Sequence, residues 1–387
     1  MNSKILLLFA FIPILFFSQK SKKVVKSNTE NVKIIEDEVI VTDWHLNSAI
    51  KPDVYITGKV TDRKAIKIVT DIDSLEVNLK PNQQFDFIVL KNGKDSCYTR
   101  FQTPKKLNFS GMNPQQHEKI KFQLTKYNNI KINSVLNKKD SVDLNFDSGA
   151  TDFYLTKAAI KKYLNPNNLP LTMQNISDNS FIIGKNEWTH QQIYPIEITS
   201  QETEGMFGWN IFDGKIVEIN YDTEELTIHS KLPKIDKHYE KFKIEYTKEH
   251  IRIELELEAD NKRYKGKFLF DTGFQKAALL DKDLLTKGAI NTANLKVIKS
   301  SSLLNSQKKE IKLNTVNIDK LIFGKYTLKN VPSELNDYNK PAFYDTHFLG
   351  SDSIKRFNII LDFQKNYVYM KPNKNFNDKY FDEIEKE

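Results

Sequence analysis

Phe146-Asp147-Ser148-Gly149 and Phe270-Asp271-Thr272-Gly273 are one four-residue plan written twice in a chain of 387 residues. Each closes an apolar-alternating run, Val142-Asp143-Leu144-Asn145-Phe146 and Gly266-Lys267-Phe268-Leu269-Phe270, so each Asp falls where a strand ends in a tight turn. A single Asp-Ser/Thr-Gly says little, because Asp and Gly are ordinary turn residues. The segments downstream of the two copies also repeat. Met206-Phe207-Gly208-Trp209-Asn210-Ile211-Phe212 leads to Ile216-Val217-Glu218-Ile219-Asn220-Tyr221, and Phe348-Leu349-Gly350-Ser351-Asp352-Ser353-Ile354 leads to Asn358-Ile359-Ile360-Leu361-Asp362-Phe363. The interval from Gly208 to Gly350 equals that from Asn220 to Asp362, so these segments align without a gap. The interval from Asp147 to Asp271 is shorter, and a single insertion in the second copy accounts for the difference. The chain thus carries two copies of one plan: hairpin, turn, helix-like segment, loop, apolar-apolar-Gly, short helix, apolar strand.

Asp-Ser/Thr-Gly followed by apolar-apolar-Gly resembles the aspartic peptidases, and the stretch Phe348 to Phe363 looks most like their retropepsin-like branch in bacteria. The likeness covers roughly residues 118–372. It implies a mainly β, two-lobed acid-protease β-barrel fold, with lobe 1 at 118–235, lobe 2 at 241–374 and a cleft between them. It also implies Asp147 and Asp271 as the catalytic pair, on turns supported by Ser148, Gly149, Thr272 and Gly273. In the family the Ser148 and Thr272 positions cross-link the two turns through their hydroxyls. Met206-Phe207-Gly208 and Phe348-Leu349-Gly350 would pack beneath those turns, and Met173 to Trp188, with Phe181-Ile182-Ile183-Gly184-Lys185 inside it, occupies the place of the family's hairpin flap. Ala150 follows the first glycine as in the family, Phe274 follows the second where a small residue is usual, and the flap stretch has no Gly-Gly tip.

The chemistry needs this pairing for a physical reason. Two carboxyls close enough to share a proton cannot both ionise cheaply, so one proton stays and they titrate as a unit. The ionised member takes a proton from water as that water attacks a peptide carbonyl; the protonated member donates to the carbonyl oxygen, and the pair later protonates the leaving amine. No metal, cofactor or covalent intermediate enters. Glycine after each Asp lets the turns meet back to back, since a Cβ would hold the carboxyls apart. The expected function is that of an aspartic endopeptidase acting on a peptide or protein substrate. A second reading keeps the fold as a peptide- or protein-binding module with little turnover.

Other chemistries find less support. The seven His residues show no His-Glu-x-x-His and no pairing at metal-ligand spacing. Ser148 is not in a Gly-x-Ser-x-Gly elbow, Cys97 alternates within a strand, and no Gly-rich phosphate loop is present. The net charge of +8 comes with Lys, Asp and Glu interleaved along most strands, which reads as a solvated surface rather than a nucleic-acid face.

Around the repeat, Lys4 and the apolar run Ile5 to Phe17 read as a signal peptide at 1–18, its core too short to span a bilayer unaided; a signal anchor is the alternative, and no stable membrane span is expected after signal cleavage. One Cys excludes an intrachain disulfide, and export without disulfides fits a bacterial periplasmic or secreted protein. Residues 19–48 read as a linker, 49–110 as a small antiparallel β module, and 375–387 as an acidic tail. Two non-identical lobes supply both halves of a site, so a monomer is expected.

Overall fold

The structure is a computed structural model that describes residues 22–165, 176–304, 308, 310–336 and 344–381, so the expected signal peptide lies outside the described residues. The described residues form a mainly β protein with curled sheets and a half-barrel. No helix among them is long and apolar enough to cross a membrane.

The N-terminal β module is larger than its expected bounds of 49–110. The expected linker at 19–48 is replaced by structure: Lys23–Ser27, Asn31–Glu36 and Val39–His45 are strands of a sandwich completed by five more between Asp53 and Gln102. Two four-stranded sheets enclose Val25, Val32, Ile34, Ile66, Phe87, Val89, Cys97 and Phe101. The period of two is present in the sequence, but Lys and Glu on the outward face make the stretch look like a solvated arm. Even Glu36 turns inward, where the buried Lys64 neutralises it at 2.7 Å.

Beyond the module the two halves build the same pattern. Ile130–Leu136 pairs antiparallel with Asp140–Phe146, and the short Gly205–Phe207 strand slots between Asp140–Phe146, to which it is parallel, and Phe153–Thr156, to which it is antiparallel. His347–Leu349 does the same between Lys262–Phe270 and Ala278–Asp281. A helix follows in each half: Lys157–Tyr163, capped by Thr156, whose hydroxyl accepts from Ala159 N, and Lys282–Lys287, capped by Asp281, whose carboxylate accepts from Leu284 N.

A six-stranded sheet joins the halves, in the order Glu240–Lys243, Tyr367–Pro372, Phe357–Asp362, Ile216–Asn220, Glu225–His229, His117–Lys121. Its two central strands are the repeated apolar ones, paired antiparallel with Ile216 opposite Asp362 and Glu218 opposite Ile360. Glu218 and Ile360 stand at the same interval as Gly208 and Gly350, so they are equivalent positions of the repeat. Equivalent residues face each other only on a twofold axis, so a pseudo-twofold passes between them and relates the halves.

The expected flap needs correction. Of Met173 to Trp188, residues 176–188 are described, and they form a hairpin of Asn179–Ile183 and Asn186–Gln191 whose turn is fastened to the joining sheet: Lys185 N and Asn186 Nδ2 both donate to the Glu118 carboxylate. Leu321-Ile322-Phe323-Gly324-Lys325 makes the equivalent turn in the second half, held by Lys325 to Glu240 at 2.8 Å. Both turns are thus structural supports. The extra length of the second half enters ahead of this turn, in the hairpin of Val297–Leu304 and Glu310–Phe323. The hydrogen bond from Lys157 holds the Glu197 carboxyl of the first half below its ordinary range, and Lys308, near the tip of that hairpin, adds a smaller attraction.

The acidic tail also starts later than residue 375. Phe376 and Tyr380 pack on the core, and the buried Arg356 donates to the carbonyls of Asp352, Asn375, Phe376, Asp378 and Lys379 while its guanidinium lies 3.9 Å from the Tyr380 ring. Residues 382–387 lie outside the described residues.

Candidate active site

Asp147 and Asp271 stand at the ends of the Asp140–Phe146 and Lys262–Phe270 strands, where the interposed short strands carry the chain past them: Asp147 N donates to Phe207 O and Asp271 N to Leu349 O, each at 3.0 Å. The two turns then interlock. Ser148 N donates to Thr272 Oγ1 at 2.9 Å and Thr272 N to Ser148 Oγ at 3.1 Å. Each hydroxyl in turn donates to the backbone of the opposite half, Ser148 Oγ to Phe270 O at 2.7 Å and Thr272 Oγ1 to Phe146 O at 2.8 Å. All four bonds are buried, so their partners have no water to fall back on.

The glycines set the approach. A Cβ on Gly149 would lie 2.6 Å from the Asp271 carboxyl, and one on Gly273 would lie 2.2 Å from that of Asp147. Each acid therefore sits over the glycine of the other turn, close enough for the two carboxyls to interact. Gly149 N donates to Asp147 Oδ1 at 2.8 Å; Gly273 N and Phe274 N donate to Asp271 Oδ1 at 2.9 and 2.8 Å. Gly208 and Gly350 have a comparable role in the layer below, where a Cβ would meet the backbone of Thr151 and of Lys276 at 2.3 and 2.0 Å.

Burial raises both carboxyls above the ordinary range. For Asp147 the backbone N–H of Gly149 and the hydrogen bond from Asp271 pull the other way. Asp271 rises well above the usual value because it is buried and because the Asp147 charge adds to the effect. Both shifts run upward, so the pair keeps one proton between them. Asp271 is 9 % exposed, whereas Asp147 keeps a more open face.

Sequence reasoning misses two residues around this pair, Asn129 and Tyr344. Asn129, fully buried in the first half, donates to the carbonyls of Thr272 and Gly273 at 2.9 and 3.0 Å and so holds the second turn from across the interface. By strand register its counterpart in the second half is His250, so the repeat gives no hint of it. Tyr344 is buried near Asp271, whose charge helps raise the phenol above its ordinary value, after burial itself. Phe274 packs edge-on against Phe348 with centroids 5.9 Å apart, filling the place where the first half has Ala150.

Among the described residues no group of three His, Cys, Asp or Glu is placed to hold a metal ion. Cys97 is buried in the module, 0 % exposed. An open groove of about 610 Å³ lined by Arg263, Lys265, Lys320 and Glu256 lies on the second half and includes none of the turn residues. No protein-family model matches the chain, and a search of curated proteins finds no match.

Proposed function

We propose that the chain is an aspartic endopeptidase of two-lobed, retropepsin-like architecture that cleaves peptide bonds between Asp147 and Asp271. The single observation that carries this reading is the crossed arrangement of the turns, in which each carboxyl rests on the glycine of the other and four buried hydrogen bonds lock the turns together. A turn that merely ends a strand has no need to meet its repeat in this way.

Asp147, the more open member, takes the proton of the attacking water. Asp271, holding the shared proton, donates it to the carbonyl oxygen as the tetrahedral centre forms. Collapse then breaks the C–N bond, with a proton passing from the pair to the leaving amine. The four cross-turn hydrogen bonds supply the rigidity that holds two acids this close. Export through the 1–18 segment and action as a monomer belong to the same proposal.

Asp147→Asn and Asp271→Asn are each expected to abolish cleavage of a mixed peptide library with the circular dichroism spectrum unchanged, and a pepstatin-type inhibitor is expected to block the parent chain. Cleavage surviving in both variants would exclude the dyad. A folded parent chain that binds peptides but turns none over would favour the binding-module reading, for which Phe274 beside Asp271 is the structural argument.

A further inference from the structure

We propose that the N-terminal module is a built-in cover, with the tip of one of its hairpins seated in an apolar pocket on the Asp271 side of the cleft. The hairpin of Asn31–Glu36 and Val39–His45 turns through Asp37 and Glu38, both in the left-handed region at φ 46° and 69°. This tight two-residue connection fixes where the next side chain points. That side chain is Val39. It leaves the module's own core and packs with Leu269, Tyr344 and Phe348 of the second half.

The alternation of strands places this pocket on the reaction side. Phe268 and Phe270 face the core of the second half, so Leu269 faces the other way, on the same side as Asp271 two residues on. On the neighbouring strand Leu349 faces that core and Phe348, paired with Leu269, faces Val39. Leu269 and Tyr344 are only 2 % and 3 % exposed with the module in place.

Charge adds little at this contact: burial raises the Asp37 carboxyl, Lys64 of its own module offsets that, and Arg252 of the second half, 5.6 Å from the Tyr344 ring, contributes a smaller attraction. A second anchor lies farther round the interface. Lys59, between the module's strands, enters an aromatic box of Trp209, Tyr246 and Phe363 with its ammonium 5.0, 4.8 and 5.5 Å from the ring centroids, and pairs with Asp213. The module is therefore held at two points, and an extended peptide laid over Asp271 competes with Val39 for the apolar pocket. This inference rests on the proposed hydrolase only in its last step; the seating of the hairpin is independent of catalysis.

The test combines two readouts. Phe348→Cys introduces a reporter thiol in the pocket, while the native Cys97 stays buried. Adding Val39→Glu is expected to speed its alkylation by iodoacetamide about tenfold, because seating one Val side chain is worth roughly that factor. With Phe348 intact, Val39→Glu is expected to raise kcat/KM for a peptide library by a similar factor, mostly through KM; Lys59→Met is expected to act in the same direction. Should Val39→Glu disturb the circular dichroism spectrum, Val39→Ser takes its place. An unchanged alkylation rate overturns the cover. Faster alkylation with unchanged cleavage overturns its competition with substrate. Faster alkylation with no cleavage in parent or variant upholds the seated hairpin and counts against the hydrolase.

Discussion

Gly149 and Gly273 show how little freedom the site leaves at the level of single residues. A methyl group on either would fall within 2.6 Å of the opposite acid, well inside any tolerable contact. The same crowding explains the titration. Asp271 is raised in the folded chain relative to the unfolded one, so the folded state binds more proton between the ordinary carboxylate range and the raised value. The stability this contributes is complete below about pH 4, where the unfolded carboxyl is also protonated, and is lost as pH rises through the folded pKa. Asp271→Asn is accordingly expected to gain on the parent chain as pH rises from about 4 to 7, seen as a higher urea midpoint. Equal midpoints for the two chains across that range would contradict the assignment. For cleavage the expected profile is a bell: the acid limb reports the pair taking up its second proton, the alkaline limb the pair losing its last one, and each single Asn variant lacks activity throughout.

At the level of elements, the repeat makes the strands, the turns and the symmetric central pair legible, because alternation and spacing are local properties of the chain. Three things are not legible. The arm at 19–48 hides its strands behind charged outward faces. The turn at Gly184 reads as a flap because its own sequence cannot tell which partner will hold it, and the partner, Glu118, lies far upstream at the start of the first half. The segment from 375 reads as a frayed tail because its aromatic anchors, Phe376, Tyr380 and Phe381, are few among polar residues and their partners, Arg356 and Tyr127, lie upstream. The candidate acids stand out in the sequence, whereas Asn129 does not, since nothing local gives a reason for an Asn there. The Arg356 clamp carries its own prediction. Arg356→Met keeps the volume but strands several carbonyls, while Asp352 retains Lys355 at 2.9 Å, and is expected to cost about 3 kcal/mol in denaturant unfolding. Early proteolytic loss of the 375–381 segment should accompany it; a loss below about 1 kcal/mol would show that the clamp is ornamental.

For the whole molecule, the six-stranded sheet ties the halves into one cooperative body, while the module has a separate core. Calorimetry is expected to show two transitions, one for the module and one for the joined halves, and Lys59→Ala should move the first without splitting the second. Three transitions, or one, would contradict this division. The pairing of Glu218 with Ile360 has a consequence of its own. In an assembly of two identical chains, the side chains meeting at the dyad are copies of each other, and an acid there would confront another acid. One continuous polypeptide escapes that rule. Here an acid reaches His229 at 3.0 Å, and its counterpart is an aliphatic residue among Ile216 and Tyr369. Fusion of the halves has let each diverge where they touch, and the same licence explains how Asn129 and Phe274 came to serve one side alone.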